Sequence, residues 1–314
     1  MNFGHLRAFV AIADAGGVHR ASVRLHLSQP AVSRQIRALE SDLGVPLFDR
    51  IGRRVQLTSE GEDLLRRSRR LLAEAESFTE RAGALKKGET GILRVGATPQ
   101  VIESTLADFL DRFRELYPGV EVQLVEEGGT NLPGRLERGH ILLALMGVND
   151  ERFNYRLLYP TYGLAVLSRT HKFARRRTLD VGELADEPLL LLRGGFASRD
   201  RFEAACSVAR FRPRVLLESA APHTAMALAG SGYGIAVVPS TVKIPQGRVR
   251  ALGLVQRGAA LGSWLRVAWD PQRFLAPYAQ RFVNELVSYC RRSYPCRELT
   301  RHFPRMPRPK ERIG

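Results

Sequence analysis

Apolar residues in the first sixty positions recur at intervals of three and four, which is the spacing of one face of an amphipathic helix. The first such pattern covers residues 6–13 and ends at Gly16, and a second short helix is predicted over residues 19–25. Ser28 is a favourable N-cap for a third helix, and Pro30 falls in its first turn, where a missing N–H costs nothing. The pattern therefore predicts three short helices.

The third predicted helix has one apolar and one polar face. Its solvent-facing residues, which carry groups suited to bases and phosphates, are Gln29, Ser33, Arg34 and Arg37. Apolar residues alternate on both sides of residues 52–54, which predicts a two-stranded wing with Arg53 and Arg54 at its tip. Two short helices, a tight turn and a wing suit the major groove of DNA. Arg37, taken alone, is better explained as a solvated charge than as a DNA contact.

A heptad pattern follows, and it predicts a linker helix over residues 59–87. Ser59 and Glu62 have the form of a capping box. Large apolar residues recur every seven positions, at Leu57, Leu64, Leu71, Phe78 and Leu85. Because a seam of this kind needs a second helix to bury it, we expect two copies of the chain to pair here as a homodimer. The alternative is that the helix folds back on its own domain.

From residue 92 onward, predicted strands alternate with predicted helices, which is typical of parallel sheets covered by helices. Crossings near residues 159–161 and 265–268 divide residues 92–290 into two Rossmann-like subdomains. Subdomain I comprises 92–161 and 266–290, and subdomain II comprises 162–265. The predicted fold is thus an all-α winged helix-turn-helix over 1–58, a linker helix, and an α/β domain with a cleft between its subdomains.

Helix starts that follow strands are the candidate ligand contacts in this cleft, because their N–H groups favour anions. The candidate residues are Thr98, Pro99, Gln100, Thr130, Asn131, Phe196 and Ser198. Thr, Asn and Ser are also ordinary helix caps, so each residue has a purely structural alternative. These helix starts predict a site for a small carboxylate or phosphate compound.

Composition supports a folded, DNA-binding protein. With 44% apolar and 25% charged residues the chain is typical of globular proteins, and its net charge of +16 suits a polyanionic partner. No apolar stretch approaches the length of a membrane span and no signal peptide is evident, so a cytoplasmic location is expected. Three cysteines without metal-ligand spacing predict neither a disulfide framework nor a metal site.

The last 24 residues, 291–314, carry eight Lys or Arg, two Glu and four prolines. This composition predicts a disordered basic tail. The tail either adds nonspecific affinity for DNA or is a solvated extension.

Enzymatic motifs are absent from the sequence, so we expect no catalytic residues, no cofactor and no enzyme activity. Two other classes of protein would each explain part of the sequence. An architectural DNA-binding protein would explain the charge but not the cleft, and a solute-binding protein would explain the cleft but not the first ninety residues.

The first sixty residues resemble the LysR-type transcriptional regulators closely. The resemblance rests on Leu25, Ser28-Gln29-Pro30-Ala31-Val32-Ser33-Arg34-Gln35-Ile36, Leu39-Glu40, Leu43-Gly44, Leu47-Phe48, Arg50 and Leu57-Thr58. The chain departs from the family at Gly17 and His19, where Ser and Thr are usual, and His19 becomes the candidate for the phosphate contact there. With the resemblance included, the candidate DNA-binding residues are Ser28, Gln29, Pro30, Ser33, Arg34, Arg37, Arg53, Arg54 and His19.

The α/β region resembles the family's effector domain more loosely. The resemblance implies a sequence-specific regulator that answers to a small molecule and binds double-stranded DNA at an inverted repeat. It further implies a dimer of dimers in which the effector changes the bend between two DNA sites, with RNA polymerase as a candidate partner.

Overall fold

The computed structural model describes residues 1–51, 54–87 and 90–313. Within these ranges, the side chains at 50, 51, 54, 81 and 84–87 are not described. The chain divides into two compact units. The first comprises residues 1–86 with 137–140, and the second comprises the rest.

The first unit contains the predicted three helices, wing and linker helix. Its elements are α1 (Phe3–Ala15), α2 (Val18–Leu25), α3 (Gln29–Leu43), β1 (Phe48–Ile51), β2 (Arg54–Leu57) and α4 (Ser59–Lys87). Phe9, Ile12 and Leu39 are almost completely buried in one core that α1, α2 and α3 share. Gly16 and Gly44 end α1 and α3 in the left-handed conformation, which glycine adopts without strain.

The start of the linker helix differs from the predicted capping box. Thr58 is the residue that caps α4, because its Oγ1 accepts a hydrogen bond from the Gly61 N–H at 2.9 Å. Gly61 is buried, and a Cβ at that position would overlap the carbonyl oxygen of Leu47. Gly61 therefore permits close packing of α4 against its own domain.

The heptad residues of α4 divide into two groups. Leu57 and Leu64 are partly buried against the core of the first unit. Leu71 and Phe78 remain exposed, at 48% and 74% of their surface, whereas the side chain of Leu85 lies outside the described residues. The beginning of the helix thus packs against its own domain, as the alternative interpretation expected. Among the described side chains, the exposed apolar row that could pair with a second copy lies in the later part of the helix.

The second unit is an α/β structure in two subdomains. Its strands are β3 (Gly91–Ala97), β4 (Val120–Glu126), β5 (Leu143–Met146), β6 (Asn154–Ser168), β7 (Thr178–Asp180), β8 (Pro188–Leu192), β9 (Arg214–Ser219), β10 (Ile235–Pro239), β11 (Val249–Gln256), β12 (Ala259–Ala260) and β13 (Gly262–Trp269). Its helices are α5 (Pro99–Val101), α6 (Ala107–Leu116), α7 (Leu132–Glu137), α8 (Ala197–Val208), α9 (Pro222–Gly230), α10 (Pro277–Arg292) and α11 (Arg297–Thr300), with a π-helical segment at Ile102–Leu106 joining α5 to α6.

Strand directions are mixed, which corrects the prediction of parallel sheets. Parallel pairing holds for β3 with β4 and β5, and for β8 with β9 and β10. The strands that cross between subdomains run the other way: β13 pairs antiparallel with β5 and β6, and β10 and β11 pair antiparallel with β6. The long β6 pairs with β13 up to Tyr162 and with β10 from Gly163. The expected crossing near residues 159–161 is therefore the middle of one strand that both subdomains share.

The C-terminal segment 293–313, which we call the strap, is ordered and packed, so the prediction of a disordered tail is wrong. Phe303 is 6% exposed and meets Tyr162 edge-on, with ring centroids 5.5 Å apart. A side chain at Gly253 would overlap its ring. At the other end of the strap the Tyr155 N–H donates to the Arg312 carbonyl at 2.7 Å. The average composition of the tail concealed the apolar residues that anchor it, of which Phe303 is the most deeply buried.

Candidate DNA-binding and effector sites

The polar face of α3 is presented to solvent. Ser28 caps the helix, since its Oγ accepts a hydrogen bond from the Ala31 N–H at 3.4 Å. Val32, Ile36 and Leu39 turn inward and are buried. This burial turns the opposite face of the helix toward solvent. Four of the predicted contacts on that face are exposed: Gln29, Pro30, Arg34 and Arg37. Ser33 is half-buried.

His19 links the second helix to the start of the third. A hydrogen bond of 2.9 Å joins its Nδ1 to Gln29 Nε2. Arg37 instead turns back on its own helix, because its Nε donates to the Ser33 carbonyl at 3.4 Å. The geometry places Gln29 and His19 together on the exposed surface, while Arg37 has a partner within the helix.

The wing consists of two antiparallel strands, β1 and β2, in which Ile51 pairs with Arg54. Its predicted contacts cannot be placed: Arg53 lies outside the described residues, and so does the side chain of Arg54. Their contact with DNA stays a prediction.

A cavity lies between the two subdomains of the second unit, and four of the seven predicted effector contacts line it: Thr98, Gln100, Phe196 and Ser198. The centre of a water molecule can occupy about 80 Å³ of this cavity. One water needs about 10–15 Å³ on that measure, so there is room for several. Thr161 and Ser263, from the shared strands, add hydroxyl groups to its wall.

Gln100 is the least satisfied polar residue of this cavity. Only 3% of its surface is exposed, and its Nε2 is buried with no hydrogen-bond partner among the described residues. A buried donor without an acceptor costs roughly 1–3 kcal/mol. A ligand oxygen in the cavity would remove that cost.

The other three predicted contacts lie beside the cavity. Pro99 and Asn131 line a neighbouring opening, where Asn131 Nδ2 donates to Glu127 at 3.1 Å. This bond, with the Arg135 guanidinium, lowers the pKa of the Glu127 carboxyl. Thr130 bridges the subdomains, since its Oγ1 donates to the Gly195 carbonyl at 3.0 Å.

Some residues of the cleft escaped the sequence analysis. Glu103 and His223 form an exposed pair 3.2 Å apart that joins the subdomains, and no sequence signal connects positions 120 residues apart. Arg201 also lines the cavity. It follows Ser198 by three positions on α8, so helical periodicity alone places both on one face.

The thiols are poorly suited to redox chemistry. Burial raises the pKa of Cys206 to about 11, that of Cys290 to about 12 and that of Cys296 to about 11. A reactive cysteine needs a lowered pKa and access to solvent.

The described residues contain neither a candidate membrane span nor a candidate metal site. Over residues 1–51, 54–87 and 90–313, no helix is long and apolar enough to cross a membrane. The same residues hold no group of three or more His, Cys, Asp or Glu that could bind a metal ion.

Comparison with known proteins identifies a family for both parts of the chain. Residues 3–62 match the family described as bacterial regulatory helix-turn-helix protein, lysR family, and residues 86–291 match the LysR substrate binding domain. The transcriptional regulator ClcR of Pseudomonas putida is 35% identical, over 77% of this chain and 84% of its own. A hydrogen peroxide-inducible genes activator of Dickeya chrysanthemi is 29% identical over 80% of this chain and 82% of its own.

Solved structures share the fold. Full-length CbnR complexed with its target DNA has a TM-score of 0.61 and 26% identity, covering 92% of this chain and all of that one. An OxyR mutant of Corynebacterium glutamicum has a TM-score of 0.57 and 27% identity, covering 93% of each chain. The chain therefore belongs to the LysR family: it is a sequence-specific DNA-binding transcription regulator, with an N-terminal helix-turn-helix and a C-terminal domain through which an effector modulates its activity.

Proposed function

We propose that the effector is a small organic anion that binds between the subdomains and contacts Thr98, Gln100 and Ser198. The observation that carries the proposal is the buried Gln100 Nε2, which lacks an acceptor. Ser198 stands in the first turn of α8, whose N-cap residue Phe196 provides no side-chain hydrogen bond. The N–H groups at that helix start and the nearby Arg201 favour negative charge.

The effector acts through the contacts that join the subdomains. Thr130 with Gly195, and Glu103 with His223, connect them in this arrangement. A ligand shifts such an equilibrium only by as much as its affinity differs between the two arrangements. We expect the anion to change the angle between subdomains and, in the assembled protein, the spacing of the DNA-binding domains.

Self-association through α4 completes the proposal. Leu71 and Phe78 are large apolar side chains that remain exposed on one copy. Packing against the same helix of a second copy would bury them and present two recognition helices to an inverted repeat. Pairing of dimers into a tetramer and contact with RNA polymerase stay predictions. So do a cytoplasmic location and action by binding alone, without catalysis.

A ligand screen on the full chain tests the anion site. Small organic acids would be added at constant ionic strength while the unfolding temperature is recorded, beside the variant Gln100→Leu. We expect one class of acid to raise the unfolding temperature of the unsubstituted protein and to do so much less in the variant. Ser231→Ala, an exposed change outside the cavity, is the control. An equal response in all three proteins would refute the proposed site.

DNA footprints separate this function from that of an architectural protein. With the acid that stabilises the protein, the footprint on the cognate site should change at saturation. Identical footprints with and without it would exclude the coupling between effector and DNA.

A further inference from the structure

A second cavity in the cleft contains two arginines that form no ion pair with a carboxylate among the described residues. We call it the side cavity; its wall includes Asn149, Arg201, Trp264, Arg266, Met306 and Pro307. Arg266 belongs to β13 and Arg201 to α8, so one comes from each subdomain. The strap residues Met306 and Pro307 cover one side, and Trp264 Nε1 donates to the Pro307 carbonyl at 2.9 Å.

Arg266 is a buried cation with an unused donor. Only 4% of its surface is exposed, and its Nε has no hydrogen-bond partner in the part of the chain that the structure describes. Its Nη1 donates to Asn149 Oδ1 at 2.5 Å, and its guanidinium lies 4.6 Å from the centre of the Tyr155 ring. Both neighbours are uncharged, so neither balances the positive charge.

Arg201, like Arg266, forms no ion pair with a carboxylate among the described residues. Its Nη2 donates to the Gly147 carbonyl at 3.3 Å. Asp200 also lines the side cavity, yet within residues 1–51, 54–87 and 90–313 no carboxylate lies within 4.0 Å of either guanidinium. Burial lowers the pKa of both arginines, and the positive charge of Arg266 lowers that of Arg201 further, while the negative charge of Asp200 opposes this shift only in part.

Burying two cations beside each other is unfavourable unless an anion accompanies them. A guanidinium presents its donors in a planar fork that matches the oxygens of a carboxylate or phosphate. We propose that Arg201 and Arg266 bind an oxyanion in the side cavity, with the strap closing over it. Since Arg201 lines both cavities, the oxyanion is either a free ion or the far carboxylate of a ligand that extends from the effector cavity. The inference holds whichever effector occupies that cavity.

Tryptophan fluorescence reports this site without interference from the DNA-binding unit, because both tryptophans of the chain, Trp264 and Trp269, lie on β13. The full-length variant Trp269→Phe would be titrated with inorganic phosphate and separately with succinate, at constant ionic strength. We expect a saturable change in the emission of Trp264. In this background, Arg201→Gln and Arg266→Gln should each weaken the apparent affinity about tenfold or more, as expected for losing a hydrogen bond to a charged group.

Arg175→Gln is the matched control, since it removes one charge from an exposed position outside the cavity. If Arg266→Gln does not fold, Arg201→Gln decides, because that residue is only partly buried. A phosphate response that survives Gln100→Leu indicates a free ion. A succinate response that needs both Gln100 and Arg201 indicates the far end of one ligand, and both outcomes support the arginine site. Absence of a saturable change with both probes, or a response that both arginine variants retain in full, would overturn it.

Discussion

The recognition helix and the effector cavity are built in opposite ways. The recognition surface comes from one continuous stretch around α3, and its polar groups are exposed. The cavity comes from segments far apart in the sequence, and its key polar group, Gln100 Nε2, is buried without a hydrogen-bond partner among the residues that the structure describes. A DNA interface must be accessible before its ligand arrives, whereas a small ligand can supply the missing partner of a buried group. The functional residues of the first unit are therefore neighbours in the sequence, whereas those of the second unit are brought together by folding.

The largest expected effect concerns the strap, which belongs to the second unit alone. Phe303→Ala should lower the free energy of unfolding of that unit by about 3–5 kcal/mol, because a buried aromatic ring is lost. Chemical denaturation followed by tryptophan fluorescence measures it. Ile313→Ala, at a residue 59% exposed in the same segment, is the control and should change little. Equal effects of the two substitutions would show that Phe303 does not anchor the strap.

Substitutions in the recognition helix should leave folding intact and change DNA binding. Gln29→Ala should reduce discrimination between the cognate site and sites with altered bases by about 1–3 kcal/mol. Arg34→Ala should weaken binding to all sequences alike, as expected for a phosphate contact. Affinities for cognate and random DNA at one salt concentration measure both. If the two variants lost affinity in the same pattern, the assigned roles would be wrong.

The bridge between the subdomains should contribute a smaller amount. Thr130→Val removes the hydroxyl that donates to the Gly195 carbonyl and keeps the shape of the side chain. We expect a change of about 0.5–1.5 kcal/mol in effector affinity, the usual net value of one hydrogen bond. Calorimetry with the acid found in the screen measures it. The preference for DNA sequence should stay the same, and a change in it would contradict the division between the two units.

Alkylation of the thiols should have the smallest effect. At pH 8, a thiol whose pKa is about 11 is ionised in about one molecule in a thousand, and the thiolate is the reactive form. Native protein treated with iodoacetamide should stay unmodified by mass spectrometry while the unfolded protein reacts at all three cysteines. Rapid labelling of the native protein would reveal a reactive thiol and reopen redox sensing as a function.

The sequence predicted those features that depend on neighbouring residues. Ser28 as a cap, the start of α3 and the bounds of α4 follow from local hydrogen bonding and periodicity. The antiparallel direction of β13 and the pairing of β11 with β6 depend on long-range contacts, which periodicity does not encode. Phe303 was hidden among prolines and arginines, and the partner of Thr130 lies 65 residues away. The helix starts in the sequence identified the region of the seven predicted effector contacts. Only the folded structure shows that Gln100 lines the cavity and that Asn131 lies beside it.

The continuity of β6 sets how the two subdomains can move. Residues 154–168 form one unbroken strand that is hydrogen-bonded to β13 along its first half and to β10 and β11 along its second. Rotation of one subdomain against the other must therefore twist a hydrogen-bonded ribbon. We therefore expect effector binding to change the relative angle of the subdomains by twisting this strand, and not by bending a flexible loop between them.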